Sequence, residues 1–370
     1  MKAGLEFQLR RFHIIVFVIN NLSFVVKSAA ILLVMILLVP FLFILHEDLF
    51  SFSYRQLGYS IIADKLKENT DSDEEFLVKT VGFINQNIYP VGNLQDKSTW
   101  NDLLISQAWC DQVSRDVAEI LAVKDIPARI IMDAGESHSV GEAFINNKFR
   151  FYDAQNNYIF WNLEGELATF EDVANGRLNL QNHKILADIK SGEDLGYDLK
   201  KYSGLVINPN MGKNRWKSYT DIYGPTKEII INLVRLNYAI NPWFDKIYQD
   251  LYLVNSEMSS VLIGRNYELF NRPDKALKQY LLSLKDGILK EDGLFYIGRM
   301  HVSLGNYNAS ISHLEELLKQ YPKTKWKDPA NYILAEAHRL LGNNLSARYY
   351  YNKSRKPYYG SANKLFNKDL

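Results

Sequence analysis

The first strong pattern along the chain is apolar and unbroken. Ser28 to Leu45 reads Ser-Ala-Ala-Ile-Leu-Leu-Val-Met-Ile-Leu-Leu-Val-Pro-Phe-Leu-Phe-Ile-Leu, 18 residues without a charge. That is close to the roughly 20 needed to cross a hydrocarbon core, so it predicts one transmembrane helix. Pro40 lies near one end, where other groups can satisfy the freed carbonyl. Lys2, Arg10, Arg11 and Lys27 precede the run and Glu47 and Asp48 follow it. The positive-inside rule then puts the N-terminus in the cytoplasm and the bulk of the chain outside. A cleaved signal peptide competes with this reading, but the leading region is long and no small-x-small cleavage site follows. Residues 12–26 are also apolar, yet Asn20, Asn21 and Ser23 interrupt them, which predicts an interfacial lead-in helix.

After the span the pattern becomes amphipathic. Phe76, Thr80, Phe83 and Ile84 fall on one side of a helix over 72–88 that Ser72 or Asp73 can cap. Val113, Val117, Ile120 and Leu121 recur at helical spacing, and Asp125-Ile126-Pro127 ends that helix, so Cys110 stands at a helix start. Arg129 to Met132 reads as a strand. His138 to Ile145 and Lys148 to Asp153 read as two more, joined by Asn146-Asn147, a pair that tolerates left-handed turn geometry. From Glu164 to about Lys217 the pattern is mixed and completes the first domain.

Beyond Pro225 the character is helical, with a period of 34 residues over 257–290, 291–324 and 328–361. Gly264, Gly298 and Ala335 share the eighth position, Tyr267, His301 and His338 the eleventh, and Ala276, Ser310 and Ala347 the twentieth. Gly305 and Gly342 share the fifteenth, Tyr307 takes the seventeenth, Pro322 the thirty-second, and Lys325 to Lys327 form an insertion. These residues resemble the tetratricopeptide repeat, in which small residues let two antiparallel helices pack closely; an ordinary helical bundle is the bland alternative. The first unit has Asn271 and Pro273 at positions fifteen and seventeen, so its inter-helix turn is expected to be irregular. Glu228 to Leu253 reads as a capping helix pair for the stack.

Composition alters this picture little. At 370 residues two folded parts are expected. The 43 Lys and Arg against 42 Asp and Glu leave a formal charge of +1, which argues against nucleic acid as a partner. The 23 Tyr and 19 Phe serve as core filling.

One cysteine is present, so no internal disulfide can form. At a helix N-terminus the free N–H groups and the helix dipole favour a thiolate, the nucleophilic form; a buried inert cysteine is the plain alternative. With Asn146 and Asn147 as loop residues, 140 faces 153 and Asp153 lies diagonal to His138 on the same sheet face, about 7 to 8 Å away by backbone. A carboxylate there can hold the imidazole in one tautomer, completing a nucleophile, base and orienter. Taken singly, the histidine reads as a polar surface residue and the aspartate as a turn former.

Trp109-Cys110, Ile126-Pro127-Ala128-Arg129 and the His138-Ser-Val-Gly-Glu142 to Asp153 hairpin together resemble the transglutaminase-like branch of the papain-like cysteine enzymes, over roughly residues 70–165. The resemblance implies Cys110 as nucleophile, His138 as base and then acid, and Asp153 as its orienter. Ala108 stands where a glycine is usual, Val140 where an aromatic is, and Gln155 where a Pro-Thr sequence is common. The backbone N–H of Cys110, with Gln107 or the Trp109 indole, is a candidate oxyanion donor set; Gln107 lining the helix start and Trp109 in the core are the structural alternatives. No acidic cluster has calcium-loop spacing, so neither metal nor cofactor is expected.

The sequence therefore reads as a cytoplasmic lead-in over 1–27, a transmembrane helix over 28–45, an α+β transglutaminase-like domain over 46–217, a helical linker or cap over 218–256, an all-α solenoid of three repeats over 257–361, and a tail over 362–370. It predicts an extracytoplasmic cysteine hydrolase or acyltransferase acting on a protein or peptide amide, with the repeat groove binding protein. The alternative is a non-catalytic envelope scaffold in which both domains bind protein.

Overall fold

The structure, a computed structural model, describes residues 24–26, 28–29, 47–68, 70–89, 99–132, 139–156, 158–179, 243–253, 259–286 and 289–354, with single positions at 232, 235 and 238. Apart from Ser28 and Ala29, the predicted span lies outside these residues, as do His138, 180–231 and 355–370. Among the described residues no helix is long and apolar enough to cross a membrane. The chain divides into two compact units, Met1–Tyr54 with Glu228–Tyr248, and Arg55–Lys227 with Gln249–Leu370. In the first unit, Tyr54 stacks on Tyr248 at 3.8 Å and its hydroxyl donates to Asp245 at 3.1 Å.

The second unit begins within helix α1 (Glu47–Lys67), followed by α2 (Asp73–Asn87), α3 (Thr99–Ile105) and α4 (Cys110–Val123). Ser72 caps α2 by accepting from the Glu75 N–H at 3.1 Å, and Phe76, Leu77, Thr80, Val81 and Ile84 form its buried face. Phe83, expected on that face, is only half-buried, because Leu77 and Val81 shift the buried stripe toward them. Helix α4 buries Val113, Val117, Ile120 and Leu121 as the spacing predicts.

Strands β1 (Ala128–Met132), β2 (Ser139–Ile145) and β3 (Lys148–Tyr152) form a three-stranded antiparallel sheet in the order β1-β2-β3. Asn146 and Asn147 have φ of 53° and 60°, so both turn residues are left-handed and the pairing is pinned at Ile145 with Lys148 and Gly141 with Tyr152. That is the expected register. Strand β1 starts one residue earlier than predicted and β3 ends one residue earlier, since Asp153 leaves the ladder and pairs with Tyr158 instead. Helix α4 packs on β1 and β2. Ile131, Val140 and Phe151 form a core with Tyr158, Phe160, Ala168, Leu178 and Val173 of α5 (Phe170–Ala174).

After α6 (Trp243–Tyr252) come three helical hairpins: α7 (Ser259–Leu269) with α8 (Pro273–Asp286), α9 (Lys290–Ser303) with α10 (Tyr307–Gln320), and α11 (Lys327–Leu340) with α12 (Asn344–Lys353). The close approach depends on small residues: a methyl added at Gly264 would meet the Tyr280 ring, and one at Gly298 would meet Leu314. Gly305 and Gly342 take φ of 76° and 78° where the first helix of a hairpin ends. The first turn is not irregular. Asn271 takes φ 55° in the glycine's place, and Pro273 opens α8, where its missing N–H has no helical partner to lose.

Candidate functional site

Cys110 is the first residue of α4, a buried thiol at 8 % exposure that is in no disulfide. Trp109 before it is half in solvent, and its backbone N–H donates to the Gln112 side chain at 2.8 Å, so Gln112 caps the helix start. Gln107 is buried, its N–H donates to the Asp102 carbonyl at 3.2 Å, and it lies beside Tyr89 in a parallel bridge. Ser106 has φ 54°, a left-handed conformation costly for a serine, held by the Tyr89 N–H donating to its carbonyl at 2.9 Å. Gln107 and Trp109 thus stand at the helix start on opposite terms, one enclosed and one open to water.

Asp153 is fully buried. Its carboxylate accepts from the Asn156 N–H at 3.1 Å and from the Asn156 side-chain amide at 2.9 Å, closing a turn in which Tyr158 pairs back to Asp153. The Asn85 amide of α2 donates to the Gln155 carbonyl at 3.0 Å, anchoring that turn. His138 lies outside the described residues. Its chain neighbour Ser139 accepts from the Ser114 hydroxyl at 3.5 Å, and Tyr152, the neighbour of Asp153, donates to the Ser114 carbonyl at 3.1 Å. Ser114 is one helical turn beyond Cys110. The structure therefore brings the helix that opens on Cys110 against the residues flanking the other two predicted site positions.

Two motif residues prove structural. Arg129 and Glu142 face each other across β1 and β2, and the guanidinium holds the buried carboxylate at 2.5 and 2.6 Å. Gly141 is required because the Tyr152 ring lies against it on its way to α4, where any side chain would collide. Sequence reasoning did not single out Gly141, Ser114, Tyr152 or Asn156. A glycine inside a strand and an asparagine three residues after a strand-ending aspartate were the available signals.

Within α4, Asp116 is fully buried. Burial, and then the neighbouring Asp102 carboxylate, push its carboxyl well above the usual carboxylate range against the pull of Arg115. Among the described residues, no group of three or more His, Cys, Asp or Glu stands together to hold a metal.

The repeat hairpins share one core, in which Val261, Ala276, Tyr280, Phe295, Met300, Leu314 and Leu334 are buried together. Trp326, in the insertion, is buried there, stacks on Phe295 at 4.3 Å and donates its indole N–H to Asp292 at 2.9 Å. Residues 292–324 match the tetratricopeptide repeat family. The match covers the middle hairpin, and repeats of this family are protein-interaction units. It includes none of the residues about Cys110 or Asp153. Neither the curated proteins nor the solved structures yield a match.

Proposed function

We propose that this chain is a scaffold held at a membrane, in which the tetratricopeptide repeats bind another protein and the α+β domain is built rigidly onto them. The observation that carries this is the match of residues 292–324 within three hairpins that share a continuous core. Anchoring by residues 28–45, with the bulk of the chain extracytoplasmic, rests on the apolar run and the flanking charges. The repeats expose Leu345, Tyr349 and Leu281 at 88 %, 52 % and 43 %, apolar positions suited to a protein surface. A photo-crosslinking residue at each, in the full chain in native membranes, is expected to give discrete protein adducts. A position on the sheet hairpin, Phe144, serves as the comparison. Adducts no different from those at Phe144 would sink the scaffold reading.

A second reading is favoured by Cys110 opening α4 while Asp153, the residue after β3, is fully buried. This is the arrangement expected of the transglutaminase-like cysteine enzymes that residues 70–165 resemble. In that reading the Cys110 thiolate attacks an amide carbonyl, the C–N bond breaks and His138, oriented by Asp153, protonates the departing amine; water or a second amine then attacks the thioester and releases the thiolate. Its test is the pH dependence of Cys110 alkylation. Reactivity that persists well below the reference thiol value of about 8.5, and that is lost on His138→Ala, supports it. Equal profiles in the two proteins would remove it.

A further inference from the structure

Helices α7, α9 and α11, the first of each hairpin, lie side by side, and the face they form is already filled by the chain itself. Tyr89 sits edge-on to Phe295 at 5.6 Å and to Trp326 at 5.7 Å, and it belongs to the repeat core. Beside it ends α3. The last carbonyls of a helix lack helical partners and draw cations and donors. Here the repeats supply them. Fully buried Arg265, ion-paired to Glu268 at 2.8 Å, donates to the Leu103 carbonyl at 2.8 Å, and the Tyr296 hydroxyl donates to the Ile105 carbonyl at 3.4 Å. Ser106, the strained residue, follows at once, and Cys110 comes four residues later.

We infer that this face of the repeat array is a docking surface whose occupant is the chain's own Tyr89 and the C-terminal turn of α3, and that Arg265 and Tyr296 position the segment leading to Cys110. The inference stands whether or not the thiol turns over, and it leaves an outside protein the remaining repeat surface, where Leu281, Leu345 and Tyr349 are exposed.

The test measures the rate of Cys110 alkylation by iodoacetamide from pH 6 to 9 in the detergent-solubilised full chain, with far-UV circular dichroism as a check on folding. Loss of the charged donor in Arg265→Met is expected to raise the open population, and with it the alkylation rate, about tenfold and to alter the pH profile. Arg265→Lys, which keeps a cationic donor, should return the rate most of the way to the parent's. An unchanged rate and profile in a folded Arg265→Met chain overturns the inference. Should that variant fail to fold, Tyr296→Phe decides: a rise of about twofold or more with helicity intact supports positioning, and parent-like alkylation rejects it. The crosslinks at Leu345 and Tyr349 are read separately, so their loss tells against the scaffold reading and not against this one.

Discussion

The hydroxyl of Tyr152 donates to the backbone carbonyl of Ser114, tying the end of β3 to the second turn of α4 through a side chain that is itself fully buried. The Ser114 carbonyl keeps its helical partner when the phenol is removed, so Tyr152→Phe should cost about 1 kcal/mol, the net worth of one hydrogen bond. Gly141→Ala forces a methyl into the Tyr152 ring and should cost more, about 1–3 kcal/mol. Urea titrations of both variants against the parent measure this. A Gly141→Ala chain as stable as the parent would show that the ring is not held where the hydrogen bond requires it.

The buried Asp116 carboxyl makes stability depend on pH in a definite direction. Burial, with Asp102 adding to it, raises its folded value above the ordinary one. Between an unfolded value of about 4 and that raised folded value, the folded chain binds more protons than the unfolded chain. This site therefore lowers stability as pH rises through the window. Asp116→Asn removes the titration, so its melting temperature relative to the parent should be least favourable near pH 4 and improve steadily toward pH 8. A difference that stays flat across that range would mean the carboxyl is not proton-bound in the fold.

The parts of the fold that were legible in the sequence are those set by local rules. Asn146-Asn147 permits only a tight turn with two left-handed residues, and this fixed the hairpin register without any tertiary knowledge. Gly264 and Gly298 marked close helix contacts, and Gly305 and Gly342 helix ends, each pair at one position of the repeat. Helix α1 was not legible, because Leu57, Tyr59, Ile62 and Ala63 are buried round its circumference and leave no one-sided stripe. Nor was Trp326, which falls in an insertion outside the period, or the bond from Arg265 to Leu103, which joins residues 162 positions apart. At the candidate site, the place of Cys110 at a helix start was readable, while Asp153, expected to end β3, falls just beyond it. Their roles were argued from the helix dipole, the hairpin geometry and the resemblance to cysteine enzymes.

The glycines of the repeats separate two physical costs. A methyl at Gly298 would collide with Leu314, whereas nothing lies near a methyl at Gly342, whose φ is 78°. Gly298→Ala should cost about 1–3 kcal/mol through overpacking. Gly342→Ala should cost about 1 kcal/mol through the left-handed backbone alone. Asn271→Gly relieves the same backbone strain, but it gives up the 2.8 Å bond from Lys65, which is exposed and contributes little. That variant should be neutral or slightly more stable in thermal unfolding. A marked loss of stability on Asn271→Gly would show that the asparagine does more than tolerate the turn.

The cross-strand pair of Arg129 and Glu142 should respond unequally to loss of either partner. The Glu142 side chain is 2 % exposed, and besides Arg129 it accepts from the Phe170 N–H at 3.3 Å. Arg129 is 36 % exposed and lies over the Phe149 ring at 3.8 Å. Arg129→Met leaves a carboxylate enclosed with its main partner gone, which should cost about 3 kcal/mol. Glu142→Gln leaves a guanidinium that water can reach and that keeps its aromatic face, so the loss should be about 1 kcal/mol. Denaturant titration of the two single variants at neutral pH measures both. If Glu142→Gln proves the costlier change, the carboxylate is better solvated than its burial implies, and the first turn of α5 draws less support from it than the Phe170 contact indicates.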